Sequence, residues 1–411
     1  MLACRIAPVP ISTETAAWAT SREVVAALAA RIAASLRGGD ALGWIGDGEL
    51  AIVASDLLTE RDLLAIGDRF LAASKRPVRL RDGSVRLGRI SVGIAATALD
   101  PAATSHQLLE AAGEAAAAAG RDDGDRCVVF DAELRARTEL RRQLAGELRP
   151  ALDHGQLEVH YQPVVELSGG AVDHLEALVR WPHPVRGMIH PASFLTAAAG
   201  SGLMVEIGEV VLETACRQAT AWSTAAGRPV RVSVNVSREQ LLGSDLVASV
   251  ERALALASLP ASQLLLEVAE TVIEDQLSAV ILVLRRLAPS GVTVVIDRAS
   301  GGPATFWRLG RLPNASVVKL DPALVEGMSD RTIEPSVLAA AAAHANRLGI
   351  SMVAAGVEFV EQVHAIRAAG VDWAQGFVFQ RPSPAPDLLP LLVSGCPAAQ
   401  APAVELTSFE R

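Results

Sequence analysis

From residue 156 onwards, short runs of aliphatic and β-branched residues alternate with longer stretches of helical periodicity. The runs are "LEVHYQPVV", "HLEALVRW", "VRVSVNVS", "QLLLEVAE", "VTVVID", "SVVKLD", "SMVAAGVE" and "WAQGFVF". Eight such strands with intervening helices, over roughly 240 residues, are what a (β/α)8 TIM-like barrel requires. In a barrel of that kind the C-terminal ends of the strands share one face, and the active site is built there.

The chain of 411 residues is too long for one ordinary core and suits two domains. Residues 1–132 read β-α-β-β-α-β-β-α-β, with hairpin signals at "ALGWIGDGELAIVAS" and at Asp82-Gly83. This order predicts an α+β ferredoxin-like or cyclase-like domain with its helices on one face of the sheet. Residues 133–150, "ELRARTELRRQLAGELRP", are charged and helical and are expected to be a connector. The barrel is expected over 151–395, with a flexible tail at 396–411.

A net charge of −9 argues against a nucleic-acid partner, which would need a basic face. Cys4, Cys127, Cys216 and Cys396 are scattered without a C-x-x-C pair, which fits a reducing compartment and no thiolate metal site. No apolar run approaches the ~20 residues that span a bilayer. The expectation is a cytoplasmic protein with no membrane segment. Lysine is nearly absent: Lys75 and Lys319 stand among many arginines.

Polar residues collect where the barrel strands stop. Glu176 ends the second strand, Asn235 the third, Glu267 and Glu270 the fourth, and Asp297 the fifth. Lys319 and Asp321 end the sixth, Glu358 the seventh, and Gln375 lies in the eighth. One strand-end acid commonly caps the next helix. A ring of them is different, because carboxylates converging on one point repel unless cations are present. Such oxygen ligands suit Mg²⁺, Mn²⁺ or Ca²⁺, and metal-assisted chemistry on a phosphate is the natural inference. Lys319, a compact point charge, suits a place beside a phosphate or a metal-bound water.

The segments "YQPVV", "EALVRW", "VSVNVS", "LEVAE", "KLD", "AAGVE" and "QGFVF" resemble, in order and spacing, the EAL domain of cyclic di-GMP phosphodiesterases. The resemblance spans residues 140–395. It implies Mg²⁺ or Mn²⁺ ligands at Glu176, Asn235, Glu267 and Asp297, and a role for Lys319 beside the nucleophilic water. It further implies dinucleotide contacts at Gln162 and Arg180, and at Glu270 a glutamate that steadies the loop after strand five. Asp321 and Gln375 are assigned as further ligand contacts.

Two departures stand out. Active members of the family read D-D-F-G-T-G after strand five, whereas this chain reads D-R-A-S-G-G, so the second-metal aspartate is replaced by Arg298. The family's A-E-G-V-E is here "AAGVE", which leaves Ala355 at the proposed general-base position while Glu358 remains. Arg298 disfavours a second dication, yet an arginine can itself hold a phosphate.

The N-terminal domain resembles a GGDEF (diguanylate cyclase) domain that has lost its metal acids. Its motif reads Gly46, Asp47, Gly48, Glu49, and "ACRIAPVPI" contains no acid. Arg37 and Asp40, in "RGGD", stand where that family carries an R-x-x-D nucleotide site. The expectation is a degenerate GGDEF–EAL regulator that binds cyclic di-GMP or a protein partner, able to form a homodimer, with no cyclase activity. The alternative is an active phosphodiesterase releasing linear pGpG.

Overall fold

The computed structural model describes residues 2–8, 15–45, 49–54, 60–88, 90–97, 99–121, 126–329 and 332–396. Gly46, Asp47 and Gly48 of the first hairpin, and the tail beyond 396, lie outside them. The chain divides into two compact units, 1–143 and 144–411. The division falls inside one helix, Ala132–Asp153. Its second half is more than a connector, because Leu144, Leu148 and Ala151 are buried in the core of the second unit. Among the described residues, no helix is long and apolar enough to cross a membrane.

The first unit holds β1 (Leu2–Pro8), β2 (Ala41–Ile45), β3 (Glu49–Ala54), β4 (Val78–Arg79), β5 (Val85–Arg86), β6 (Ile90–Ala96) and β7 (Arg126–Val129). Five of them form one sheet in the order β2-β3-β1-β6-β7, and among the described residues β4 pairs with β5 in a separate ribbon. The Asp82-Gly83 turn forms where expected, with Gly83 at φ +83°.

The expected one-sided sheet is corrected: helices cover both faces. Val92 and Ile94 share a cluster with Val24, Leu28, Ile66 and Phe70 from the helices Thr15–Ala33 and Glu60–Ser74. Ala95 belongs to another cluster, with Leu108, Ala112 and Ala115 of the helix Ser105–Arg121. The alternation of β6 explains this, since Ser91, Gly93 and Ala95 present small side chains to one face. A Cβ on Gly93 would lie 2.0 Å from the Ala112 carbonyl oxygen, so the helix backbone sits directly on the strand.

The second unit is a closed barrel of β8 (Glu158–Glu166), β9 (Val172–His183), β11 (Arg231–Asn235), β12 (Leu264–Ala269), β13 (Thr293–Ala299), β14 (Ala315–Leu320), β15 (Ser351–Ala354) and β16 (Trp373–Ala374). A short β10 (Gly187–Ile189) folds back on β9. From β9 to β16 the barrel neighbours are parallel, whereas β8 is antiparallel to both β9 and β16. The turn between β8 and β9 is too short for a helical crossover, and that forces the antiparallel pairing.

Strand alternation then builds the site. Val164, Leu265, Val295, Val317 and Val353 form a cluster of their own inside the barrel, with Trp373 against it. The next residue on the same face lies two positions further along each parallel strand. Those positions are Glu267, Asp297, Lys319, Ala355 and Gln375. On the reversed β8 the corresponding step runs backwards, from Val164 to Gln162. Register pairs Glu267 with Asn235, and Gln162 with Glu176. One polar layer therefore caps one apolar layer.

Candidate active site

Gln162, Glu176, Asp297, Arg298, Lys319, Pro322, Ala355, Gly356, Glu358, Gln375, Gly376 and Phe377 line a cleft of roughly 240 Å³ at this end of the barrel. Its centre is Lys319. The ammonium donates to Glu176 Oε2 at 2.6 Å and to Glu267 Oε2 at 2.8 Å. Glu176 also accepts from Asn235 Nδ2 at 2.6 Å and from Gln375 Nε2 at 2.7 Å. Gln375 reaches Gln162 Oε1 at 3.3 Å, and Gln162 donates to the Gln380 carbonyl at 3.0 Å.

Burial opposes the ionisation of Glu176, but Lys319 and the hydrogen bonds from Lys319, Gln375 and Asn235 hold its pKa below the usual value. Glu267 goes the other way. Burial and the charges of Glu176 and Asp297 push it up to about 7 against the pull of Lys319. Asp297 is also raised, chiefly by burial and then by Glu176, despite Lys319 and Arg298. Burial works against the charge of Lys319, and the three carboxylates outweigh it, so its pKa stands well above the usual lysine range. One ammonium does not neutralise three acids. Glu267 Oε1 is buried and has no hydrogen-bond partner.

The orphaned oxygen and the surplus negative charge have the chemistry that suits one hard divalent cation, and Glu176, Asn235, Glu267 and Asp297 are the residues that would hold it, although their side chains are not drawn together around a common point. Such an ion would meet Lys319 already bridging two of its carboxylates. Among the described residues, no three His, Cys, Asp or Glu side chains are grouped as a metal requires. A second cation finds no carboxylate at position 298. Arg298 is exposed, lines the cleft, and adopts a left-handed backbone with φ +51°.

The loop after β13 is pinned beside this site. Glu270, buried, accepts from the Ser300 amide at 2.8 Å and from Arg308 at 3.0 Å. The Asp321 amide donates to the Ala299 carbonyl at 3.0 Å, while its carboxylate caps the following helix at the Ala323 amide, 2.9 Å away. Asp321 is thus placed as a cap outside the cleft lining. Arg180 is half-buried, donates to the Val179 carbonyl at 2.8 Å and also stands outside that lining. Glu358 is exposed within the cleft, whereas Ala355 is buried at its wall with no group able to move a proton.

Gly376 and Phe377 were not anticipated as cleft residues. A Cβ on Gly376 would sit 1.9 Å from the Val357 carbonyl oxygen, a close approach that only glycine allows. Phe377 is an exposed aromatic over which Arg381 stacks at 4.3 Å. In the first unit, the Asp40 carboxylate accepts from the Arg37 amide at 2.8 Å, and the Arg37 side chain is exposed.

A model of the EAL domain family matches residues 145–382, more than half of the chain. The chain belongs to the EAL domain family, whose phosphodiesterases depend on divalent metal. It is 33% identical over 363 residues, 88% of this chain and 52% of the relative, to the bifunctional diguanylate cyclase/cyclic di-GMP phosphodiesterase MucR of Pseudomonas aeruginosa. It is 32% identical over 357 residues to the cyclic di-GMP phosphodiesterase NbdA of the same organism, covering 86% of this chain and 45% of that protein. The chain thus spans about half the length of these curated relatives. The solved structure of the MucR phosphodiesterase in complex with c-di-GMP aligns with a TM-score of 0.57 and 37% identity, over 60% of this chain and 99% of that one. A Vibrio cholerae LapD S helix-GGDEF-EAL structure, 15% identical, shares the fold over 92% of this chain and 89% of that one, with a TM-score of 0.68.

Proposed function

We propose that this chain is a degenerate GGDEF–EAL regulator whose barrel binds cyclic di-GMP and hydrolyses it poorly or not at all. The observation that carries this reading is the pair Arg298 and Ala355 in the cleft. One places a fixed cation where a second metal ligand is needed, and the other removes the proton-transfer group. Binding has its own support. Lys319 and Arg298 offer positive charge to phosphates, and Gln162, whose amide nitrogen spends one N–H on the Gln380 carbonyl, offers another donor. The metal, if taken up, would lend electrostatic stabilisation to a bound phosphate.

The first unit, on this reading, is a GGDEF-like domain without cyclase chemistry. The fold shared with the LapD structure supports that assignment. Arg37 and Asp40 are its candidate nucleotide contacts, and a protein partner or a second copy is the proposed recipient of the signal. The domain limits we propose are 1–132 and 151–395, with the helical segment 133–150 between them giving its second half to the barrel core. Calorimetric titration of the full chain with cyclic di-GMP, with and without Mg²⁺, tests the proposal alongside a hydrolysis assay. Saturable binding without turnover is expected; rapid release of linear pGpG would replace this reading with the second one, an active phosphodiesterase. Glu358 is what favours that second reading, since it is a carboxylate still exposed in the cleft.

A further inference from the structure

The loop that follows Arg298 has no regular secondary structure of its own between Ala299 and the helix Pro303–Leu309. Its path is nevertheless fixed by a short relay of polar contacts. Arg308, on that helix, donates to Glu270 Oε1 at 3.0 Å and pairs with Glu274. Glu270 uses its other oxygen, Oε2, to accept from the Ser300 amide at 2.8 Å. The Ser300 and Thr305 hydroxyls meet at 3.0 Å. Ser300 is two residues from Arg298, whose left-handed φ of +51° must be held by its surroundings.

We infer that Arg308 is a positioning residue for nucleotide binding: it orients Glu270, which through the Ser300 amide fixes the loop that follows Arg298 and so the strand end that carries it. The relay is mostly buried, with the side chains of Arg308 and Glu270 only 16% and 6% exposed. A buried carboxylate with one oxygen on an amide and the other on a guanidinium has a single favourable orientation. Without Arg308, Glu270 would face Glu274 on the same helix with no cation between them, and its hold on Ser300 would loosen. A helix remote from the ligand would thus set how well the cleft takes a phosphate. Arg308 itself does not line the cleft.

This inference rests on the nucleotide-binding reading, and its test separates the two. Arg308→Ala and Arg308→Lys are made in the full chain. Hydrogen exchange is followed in the peptide 297–306, and cyclic di-GMP affinity is measured by calorimetry. Arg308→Ala is expected to speed exchange in that peptide, leave exchange in β12 and β14 unchanged, and weaken affinity by about 10- to 100-fold, as for a lost charged hydrogen bond. Arg308→Lys keeps one charge on Glu270 and should restore most of both signals, which a general packing role would not do. If Arg308→Ala does not fold, Arg308→Lys and Glu274→Gln carry the test; Glu274→Gln should leave the loop protected because Glu270 keeps its cation. Unchanged exchange and affinity in Arg308→Ala would overturn the inference, as would a Lys variant no better than the Ala variant. A wild-type protein that binds no cyclic di-GMP would defeat the functional reading alone, because the exchange result would still report the relay.

Discussion

Asp297 and Arg298 are neighbours in the chain, yet both line the same cleft. In a regular strand successive side chains point to opposite faces. Here the pairing of β13 with β14 slips between Ile296 and Ala299, and Arg298 takes φ +51°. A left-handed non-glycine residue costs roughly 1–2 kcal/mol. The strand is bent at this point, and Arg298 faces the site. Two neighbours in the chain, one acidic and one basic, are thereby turned into the same cleft.

The bridge from Lys319 to Glu176 and Glu267 makes a stability prediction. Lys319→Met leaves two buried carboxylates without their cation, and breaking a buried ion pair from one side typically costs about 3–5 kcal/mol. Adding Glu267→Gln removes one of the stranded charges and should recover part of the loss. Urea denaturation of the wild type, both single variants and the double variant measures the coupling. Simple additivity would show that the bridge carries no interaction energy.

Beneath the site, Asp173 accepts from His174 Nδ1 at 2.7 Å and from Arg231. Burial raises its pKa, but these two partners more than offset that and hold it below the usual value. A carboxylate depressed in the folded state contributes stability above its unfolded pKa of about 3.9 and loses it as pH falls through the folded value. Asp173→Asn should therefore cost about 1.5–3 kcal/mol at pH 7. The difference from wild type should shrink as pH falls below about 3.9 and through the lowered folded value of Asp173. Equal stabilities at neutral pH, measured by urea denaturation, would contradict this.

Much of the barrel could be read directly, because strand period and site chemistry coincide. The same alternation that places Leu265, Val295 and Val317 inside the barrel places Glu267, Asp297 and Lys319 one step above them. What the pattern hid depends on contacts between distant segments. The reversal of β8 follows from a short turn rather than from its apolar run, which reads like the others. The two-sided cover of the first sheet depends on how closely a helix approaches Gly93. Asp321 reads as a ligand by position, yet its carboxylate is committed to the Ala323 amide. No local pattern links Arg308 to Glu270, 38 residues away.

The first unit is expected to make no cyclic di-GMP from GTP. Its first strand carries no acid, and the hairpin has glycine at position 48, so the triphosphate and its metal lack their carboxylate partners. The bifunctional name of the MucR relative makes this a real contrast. Incubation of the full chain with GTP and Mg²⁺ or Mn²⁺, followed by chromatography, is the check. Any metal-dependent synthesis would refute the assignment.

The bend at Arg298 leads to the strongest test of impaired hydrolysis. Restoring one lost group should do little, since a two-metal hydrolysis needs the second ligand and the base together. Arg298→Asp puts a carboxylate on a backbone that already faces the cleft, and aspartate tolerates the left-handed region better than arginine. Ala355→Glu adds a carboxylate to the polar layer, two residues beyond the buried Val353. The double variant should hydrolyse cyclic di-GMP far faster than the two single variants combined, because general-base catalysis alone typically supplies ~10²–10⁴-fold. Turnover would be followed by chromatography in the presence of Mg²⁺ or Mn²⁺, with metal binding measured in parallel. The loop "RASGG" lacks the phenylalanine of active members, which limits how complete the recovery can be. A folded, metal-binding double variant that stays inert would shift the cause from the charge of Arg298 to the shape of this loop. A wild-type protein that already turns over rapidly would mean instead that Glu358, the carboxylate still exposed in the cleft, or another acid has taken over the role of base.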